Sequence, residues 1–498
     1  MQAMIGPKTG WAPRLAQESR LAELDALVTQ RCVGDDHLLL AIERAALLGA
    51  LNRHDDAKAA FISILQKEPT HLCALNEFGA LLTRMGAIAA ACRVYAEAIL
   101  HHPDSALPHI NLANLLLRSS KLDEARAHYE TALSLDASNP QAHQGLGAVL
   151  SDLGDRAAAR LHFEKGFKDH AISRLPYRGH KPPIHLVQLV SSGGGNIPTA
   201  HLLDDAVFQT SVIVTDQVSP LARLPPHQLV FNAIGDADCC EPALRAAIGL
   251  VERTKMPVIN DPSAVMKTGR VANSIRLRAV PGVVTALTVP MTKQVLLSPQ
   301  GPATLAREGF YFPMLLRSPG YHTGRNFVMV GTANELAAVA ASLPGEQLLA
   351  IEFLDACRSD GTSRKYRVMM IDGQLYPLHL AISRDWKVHY FTSEMSEKAD
   401  YRAEEARFLE NMADVLGHKA VASLEAISKT LGLDYAGVDF GLSETGDVLL
   451  FEANATMIIS RAGHQAHWAY RHGAIDRAIG AAMAMIEKRS GALTEKAR

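Results

Sequence analysis

One interval of 34 residues recurs through the first third of the chain, and it limits the possible folds more than any other feature of the sequence. Several classes of position share this interval. Aromatic residues occupy one class, at Phe61, Tyr95, Tyr129 and Phe163, and small residues another, at Ala57, Ala91, Ala125 and Ala159. Three further classes hold small or turn-forming residues: Gly79, Ala113 and Gly147; Pro69, Pro103 and Ala137; Gly86, Ser120 and Gly154. A period shared by so many positions predicts a stack of repeated units.

The residue types at these positions favour helical hairpins. Small residues let two antiparallel helices approach closely, and the aromatic residue fills the space between neighbouring hairpins. Gly86 and Gly154 fall where a helix would end in a left-handed residue. We expect about four helix pairs between residues 37 and 171, and a further helix within 12–34 that covers the open end.

This pattern resembles the tetratricopeptide repeat. The resemblance implies an all-α superhelix over residues 1–175. Such arrays bind an extended peptide or a protein in their concave groove, or they mediate self-association into a homo-oligomer. A purely structural packing role remains an alternative. Nothing in the repeat pattern indicates catalytic chemistry.

Composition excludes several classes of protein. The chain has 498 residues, which predicts more than one domain. The formal charge of −2 and the lack of a Lys/Arg run argue against binding to nucleic acid or an anionic membrane. No apolar run is long enough to span a bilayer, and the first twenty residues lack the apolar core of a signal peptide. None of the six cysteines forms a CxxC pair, so we expect reduced thiols and a cytoplasmic location.

The pattern changes after a segment that ends in two prolines, residues 170–183, which we interpret as a linker. Short apolar runs then predict buried strands, and the run at 243–254 predicts a helix between the last two. The strands are expected at 184–190, 211–215, 228–234 and 257–260. Their alternation with helices predicts an N-terminal α/β lobe with a parallel sheet over residues 180–292. The turn SSGGGNIP is a poor dinucleotide motif, because Pro198 occupies its third glycine position.

Residues 432–459 carry the clearest chemical pattern. They predict a β-hairpin with an SETGD turn, in which Asp439 lies on the first strand. Glu452 and Asn454 are two residues apart on the second strand and therefore share a face. Two carboxylates and an amide oxygen form the hard-oxygen set that Mg²⁺ prefers, with nucleotide phosphates completing its shell. Since these acids are embedded in apolar strands, an incidental surface hairpin is the weaker interpretation.

This set resembles the metal triad of the ATP-grasp superfamily, which includes D-alanine–D-alanine ligase and glutathione synthetase. The spacing of 13 and then 2 residues fits the family, and further family elements precede it in the expected order across residues 184–488. The resemblance implies α+β ATP-grasp lobes over residues 293–490 that bind ATP and Mg²⁺. Relatives often carry a basic residue two positions before the first metal ligand, where this chain has Gly437.

The resemblance also assigns nucleotide-binding positions. Strand, glycine-containing loop and strand at 309–330 match the flap over the ATP phosphates, although Arg317 stands where relatives usually have lysine. Arginine still neutralises phosphate, through a planar fork. Before the flap, the resemblance favours Arg270 as a contact to the ATP phosphates, with Arg276 as the alternative. Arg325 is a further candidate in the flap loop. The positions assigned to ATP are Arg270, Arg317, His322, Glu352, Phe353, Leu354 and Asp355.

Further positions are assigned to the reaction itself by the same resemblance. Basic residues near the transferred phosphate or the acceptor carboxylate are Arg367, Arg384 and Lys387. Residues assigned to the substrate are His379, Ser460 and Arg461. A solvated loop is the alternative interpretation of the segment 378–391.

The expected activity is ATP-dependent carboxylate–amine ligation through an acyl phosphate, with release of ADP and phosphate. The repeats suggest that one substrate is a peptide or protein. Two alternatives stay open: an ATP-grasp phosphotransferase that makes a stable phosphorylated product, and a non-catalytic peptide-binding scaffold. The arginine at position 317 favours loss of catalysis, whereas the intact Asp439, Glu452 and Asn454 set argues against it.

Overall fold

The computed structural model describes residues 14–29, 35–321, 324–390, 393–461 and 465–491, and the chain divides into two compact units. The first unit comprises residues 1–188, 192–194 and 203–227, and the second unit comprises 189–191, 195–202 and 228–498. Among the described residues, no helix is both long and apolar enough to cross a bilayer.

Helical hairpins make up most of the first unit. The helix expected within 12–34 is present as α1, which packs on α2, and four hairpins follow, as the 34-residue interval predicts. The helices are α1 (Arg14–Thr29), α2 (Asp35–Ala50), α3 (His54–Lys67), α4 (Leu72–Arg84), α5 (Ile88–His101), α6 (Ala106–Arg118), α7 (Leu122–Leu135), α8 (Pro140–Leu153) and α9 (Arg156–Phe167).

The repeated residues pack as their types predict. A Cβ added at Gly79 in α4 would lie 2.4 Å from the Tyr95 ring of α5, so only glycine allows this approach. Tyr129 of α7 reaches the next hairpin, since a Cβ at Gly145 would lie 2.2 Å from its ring. Gly154 ends α8 in the left-handed conformation, with φ 91°. The aromatic residues therefore seal the interior both within hairpins and between them.

Three strands follow the helices: β1 (Ile172–Arg174), β2 (Ile184–Val190) and β3 (Phe208–Val214). β1 and β3 belong to the first unit, and the last two residues of β2 are assigned to the second. β1 lies inside the segment that the sequence suggested as a linker, and it pairs antiparallel with β3. Three residues are too few to show a strand periodicity. The antiparallel pair also means that the sheet expected here is not purely parallel.

The second unit begins with a small α/β segment. Its strands β4 (Leu229–Asn232) and β5 (Val258–Ile259) are parallel, and α10 (Glu241–Val251) connects them. This is the strand–helix–strand order that the sequence predicts. Two short helices follow, α11 (Pro262–Met266) and α12 (Arg270–Leu277).

Two further sheets form the rest of the second unit. The first is antiparallel, in the order β7-β10-β8-β9, and packs against three short helices. Its elements are β7 (Thr288–Thr292), β8 (Met314–Arg317), β9 (Phe327–Val330), β10 (Gln347–Glu352), α13 (Lys293–Leu297), α14 (Gly301–Arg307) and α15 (Leu336–Ser342).

The second sheet has five strands in the order β12-β11-β13-β14-β6, with only the β14–β6 pair parallel. The expected hairpin is its β13–β14 pair, and its turn is closed by Ser443 and Asp447. The elements are β6 (Val283–Thr285), β11 (Ser363–Ile371), β12 (Gln374–Ser383), β13 (Tyr435–Leu442), β14 (Val448–Asn454), α16 (Ala399–Glu410), α17 (Met412–Leu431) and α18 (His472–Arg489).

Candidate functional site

A row of ionisable side chains crosses four strands of the five-stranded sheet. His379 on β12 pairs in register with Arg367 on β11, Arg367 with Asp439 on β13, and Asp439 with Glu452 on β14. Directly opposed residues of antiparallel strands share a face of the sheet. The hairpin thus brings the two acids together, as the sequence predicts, and places Arg367 beside them.

Asp439 is buried and paired with cations. Its side chain is 5% exposed and accepts hydrogen bonds from Nε and Nη2 of Arg367 at 2.6 and 2.8 Å. Lys365 Nζ lies 3.4 Å from the same carboxylate. Burial alone would raise the pKa of Asp439, but the charges of Arg367 and Lys365 outweigh it and hold that pKa below its ordinary value. The carboxylate therefore stays ionised.

Glu452 forms the second half of the acidic pair. It accepts a hydrogen bond from Nη2 of Arg270, and Asn454 Nδ2 donates to it at 3.0 Å. Arg270 also binds Asp238 at 3.1 Å. Burial opposes the charge on Arg270, yet Glu452 and Asp238 more than compensate, so the pKa of Arg270 is raised.

These groups open into a cavity of about 230 Å³ within the second unit. Polar and apolar residues from both sheets and from the α/β segment line it. The sequence-assigned residues that line this cavity are Arg270, Arg317, Glu352, Phe353, Leu354, Lys387, Asp439, Glu452 and Asn454. Arg270 and Asn454, which are 184 residues apart in sequence, therefore line the same cavity.

Other assigned residues lie elsewhere in the second unit. Arg367 stands behind Asp439, and His379 is buried against the Tyr390 ring, with ring centroids 4.9 Å apart. Burial and the charge of Arg367 lower the pKa of His379, so it is neutral. Neither residue lines the cavity, nor do the exposed residues Asp355, Arg384, Ser460 and Arg461.

The basic alternatives have structural roles or fall outside the description. Arg276 donates to the backbone carbonyls of Lys267 and Thr430, which fixes α12. Arg325 stacks on the Tyr321 ring at 5.5 Å. His322 lies outside the described residues.

The turn between β8 and β9 is held from both sides. Arg317 ends β8, is 9% exposed and donates to the Tyr321 carbonyl at 2.5 Å, so it is not a surface cation. Burial and the nearby charge of Arg270 lower the pKa of Arg317 to about 10. Lys387 Nζ donates to the carbonyls of Gly324 and Phe327 at 2.6 and 3.0 Å. Lys387 therefore ties the segment after β12 to this turn.

The cavity also contains residues that the sequence reasoning missed. Lys365 lines it two positions before Arg367 on β11, and the period-2 alternation of a strand was the available signal. Asp238 follows the buried strand β4, where an acid at a strand end was visible in the sequence. Trp386 packs edge-on against Phe353, with centroids 6.1 Å apart. Nothing in the local sequence indicated that contact.

One buried amide in the cavity has an unused acceptor. Asn273 Nδ2 donates to the carbonyls of Thr268 and Ala453, and those carbonyls fix the orientation of the amide. Among the described residues, no donor reaches Asn273 Oδ1. A buried acceptor without a donor is costly, and a ligand N–H or O–H would satisfy it.

The cavity combines cations with an apolar wall. Positive charge comes from five side chains that line the cavity, and its apolar side chains include Leu315, Ile351, Phe353 and Leu450. The five cations are Arg270, Arg317, Arg364, Lys365 and Lys387. Within the described part of the chain, no three His, Cys, Asp or Glu residues cluster as a metal site. Asp439, Glu452 and Asn454 still form a hard-oxygen set whose chemistry fits Mg²⁺, provided that phosphate oxygens supply other ligands.

Comparison with known proteins identifies a repeat in the helical part of the chain. Residues 114–154 match the family described as TPR repeat. No curated protein matches the chain. The chain therefore carries tetratricopeptide repeats in the helical part, followed by a region rich in sheets.

Several solved structures show weak likeness. One is MamA, residues 41 to the end, from Desulfovibrio magneticus RS-1, at 21% identity and a TM-score of 0.27, covering 31% of this chain and 85% of that one. Another is the APC/C hetero-tetramer Cut9–Hcn1, at 16% identity and a TM-score of 0.28, covering 30% of this chain and 28% of that one. These TM-scores are too low to compare folds, so the repeat assignment depends on the family match and on the 34-residue interval.

Proposed function

We propose that the second unit is an ATP-grasp enzyme that binds ATP with Mg²⁺ and joins a carboxylate to an amine through an acyl phosphate. The observation that carries this proposal is the convergence of Asp439, Glu452 and Asn454 with five cationic side chains on one cavity. A polyphosphate needs such cations, and a base ring needs the apolar wall beside them.

The charges of the cavity support transfer of the outer phosphoryl group. Arg317 and Lys365 supply positive charge where a transferring phosphoryl group would become more negative at its oxygens. Arg317 ends β8, beside the turn that would cover the phosphates, and Lys365 lies on β11 of the five-stranded sheet. The residues that would hold Mg²⁺ are Asp439, Glu452 and Asn454, and the ion when bound supplies further charge beside the outer phosphates.

Two transfers make up the proposed reaction. In the first, a substrate carboxylate oxygen attacks the γ-phosphorus of ATP, the bond to the bridging oxygen breaks, and ADP leaves. In the second, an amine nitrogen attacks the acyl carbon, phosphate leaves, and the nitrogen loses a proton to solvent. The turn between β8 and β9 would exclude water from the acyl phosphate, which hydrolysis would otherwise destroy.

The repeats are proposed to recruit a peptide or protein. Tetratricopeptide arrays generally recognise extended chains, and the four hairpins of the first unit would provide the surface for one here. A protein-linked carboxylate or amine would then be the substrate of the second unit.

Nucleotide binding to matched variants tests the site. We expect Mg-dependent ATP binding to the full chain by calorimetry, and at least ten-fold weaker binding for Arg317→Ala. Arg317→Lys should bind nearly as well as the unchanged protein, because an ammonium also neutralises phosphate. Arg461→Ala is the control, since Arg461 is 60% exposed, pairs with Asp476 and lies outside the cavity. Equal affinity for ATP in Arg317→Ala and Arg461→Ala would refute the assignment.

A further inference from the structure

Two histidine pairs occur at equivalent places in consecutive repeats. His109 of α6 faces His128 of α7, with Nδ1 atoms 3.0 Å apart, and His143 of α8 faces His162 of α9, with Nδ1 atoms 2.9 Å apart. The ring centroids are 5.2 and 5.0 Å apart, at interplanar angles of 44° and 45°. Both pairs follow the 34-residue interval of the array and have nearly the same geometry. The arrangement is therefore a repeated feature of these hairpins.

The second pair has a defined tautomer. His143 Nε2 lies 3.1 Å from the carbonyl oxygen of Ala137. A carbonyl only accepts, so Nε2 carries the hydrogen and Nδ1 of His143 presents a lone pair towards His162. Metal-ligating histidines commonly donate their second ring N–H to a carbonyl in this way.

The four imidazoles are neutral, and one ring of each pair is accessible from solvent. His109 and His143 are buried, whereas His128 and His162 are half-buried at the surface. Burial lowers the pKa of all four histidines, and the neighbouring histidine adds to this effect at His109 and His162. A metal binds the neutral ring, so these residues are in the required form at neutral pH.

We propose that each histidine pair chelates one divalent transition-metal ion, such as Zn²⁺, through its two Nδ1 atoms. Zn–N bonds of about 2.0–2.1 Å in tetrahedral geometry place two ligand nitrogens roughly 3.3 Å apart. Each pair reaches that separation by opening a few tenths of an ångström. Imidazole suits Zn²⁺, Ni²⁺ and Cu²⁺.

The two sites differ in strength. No third His, Cys, Asp or Glu joins either pair in the described part of the chain, so water completes the shell and affinity is modest. The pair His143 and His162 binds more tightly, because the Ala137 carbonyl fixes the orientation and tautomer of His143. Metal at both sites joins α6 to α7 and α8 to α9, and thereby stiffens two consecutive hairpins of the array.

Zinc binding to the full-length chain without nucleotide tests this proposal. The variants are His128→Ala, His162→Ala and the double variant, which change only the half-buried member of each pair. His180→Ala is the control, because His180 is exposed and belongs to neither pair. Circular dichroism and the melting temperature without metal check that each variant is folded.

Equilibrium dialysis against Zn²⁺ at pH 7.5 should show one ion fewer in each single variant and two fewer in the double variant, with the control unchanged. His162→Ala should remove the tighter of the two. Lowering the pH to about 5.5 should abolish both, since protons compete for the same nitrogens. Zinc should also raise the melting temperature of the unchanged protein more than that of the double variant. Equal zinc uptake by the double variant and the control would overturn the proposal and leave each pair as a hydrogen bond only.

Discussion

Asp439 and Arg367 form the most constrained ion pair of the candidate site. The Asp439 side chain is almost fully buried, and Arg367 satisfies both of its oxygens. Breaking a buried pair by removing one partner leaves an uncompensated charge. This residue therefore contributes to stability as well as to the proposed chemistry, and variants must separate the two effects.

We predict that Asp439→Asn lowers the free energy of unfolding by about 3 kcal/mol and abolishes ATP turnover. The cause is the unpaired charge left on Arg367 and Lys365. The double variant Arg367→Gln, Asp439→Asn should lose less stability than the sum of the two single variants, because neither charge is then left alone. Urea unfolding of the four proteins measures the coupling. Additive losses would show that the pair does not interact.

The stability that this ion pair contributes decreases as the pH falls. The pKa of Asp439 is depressed in the folded chain, so the stability from this pair is present above the unfolded pKa of about 4 and is lost as pH falls through the folded value.

The sequence patterns predict most of the helices and strands and part of the candidate site. The alternation in 432–459 predicts the hairpin, and two-residue spacing puts Glu452 and Asn454 on one face. The pairing of the two strands brings Asp439 beside them. The ion pair of Arg270 with Glu452 spans 182 residues, and no local pattern predicts such a contact. Strand β1 escaped prediction for another reason: three residues hold no period, and pairing with β3 alone defines it.

At the scale of elements, Lys387 contacts the turn between β8 and β9 from another segment of the chain. Lys387 donates to two carbonyls of the turn, at Gly324 and Phe327, and lies 5.8 Å from the centroid of the Phe327 ring. Burial and the charge of Arg317 lower the pKa of Lys387. Lys387 therefore holds the turn between β8 and β9, which is proposed to cover the phosphates.

We predict that Lys387→Met speeds tryptic cleavage after Arg325 and raises KM for ATP, because methionine fills the space but donates no hydrogen bond. Lys429→Met is the control, since Lys429 is exposed near the end of α17. Mass spectrometry of timed digests identifies the cut. Unchanged cleavage after Arg325 in Lys387→Met would argue that the turn is held by other contacts.

The repeat hairpins depend on glycine where helices approach closely. We predict that Gly79→Ala lowers stability by about 1–3 kcal/mol, because its Cβ would lie 2.4 Å from the Tyr95 ring. Gly249→Ala in α10 is the matched variant, since nothing lies within 4 Å of its added Cβ. It should stabilise the chain by up to about 1 kcal/mol through helix propensity. Thermal unfolding measures both, and a destabilised Gly249→Ala with an unaffected Gly79→Ala would contradict this packing.

At the scale of the whole chain, two kinds of unit are joined. The tetratricopeptide repeats are built from contacts between neighbouring hairpins, whereas the second unit is built from sheet contacts between distant segments. In the proposed enzyme the first unit recruits a peptide or protein, and the second unit catalyses the ATP-dependent ligation.

The nucleotide product in the presence of hydroxylamine tests the central claim most directly. Hydroxylamine replaces the amine, so an acyl phosphate would be captured as a hydroxamate on peptides that co-purify with the chain. With Mg-ATP, the account predicts ADP, phosphate and a hydroxamate from the unchanged protein, and none of them from Glu452→Gln, whose carboxylate is proposed to hold the metal. ADP with a stable phosphorylated product and no hydroxamate would indicate a phosphotransferase. AMP and pyrophosphate as the main products would contradict the account, because the charges of this cavity are proposed to act on the γ-phosphoryl group.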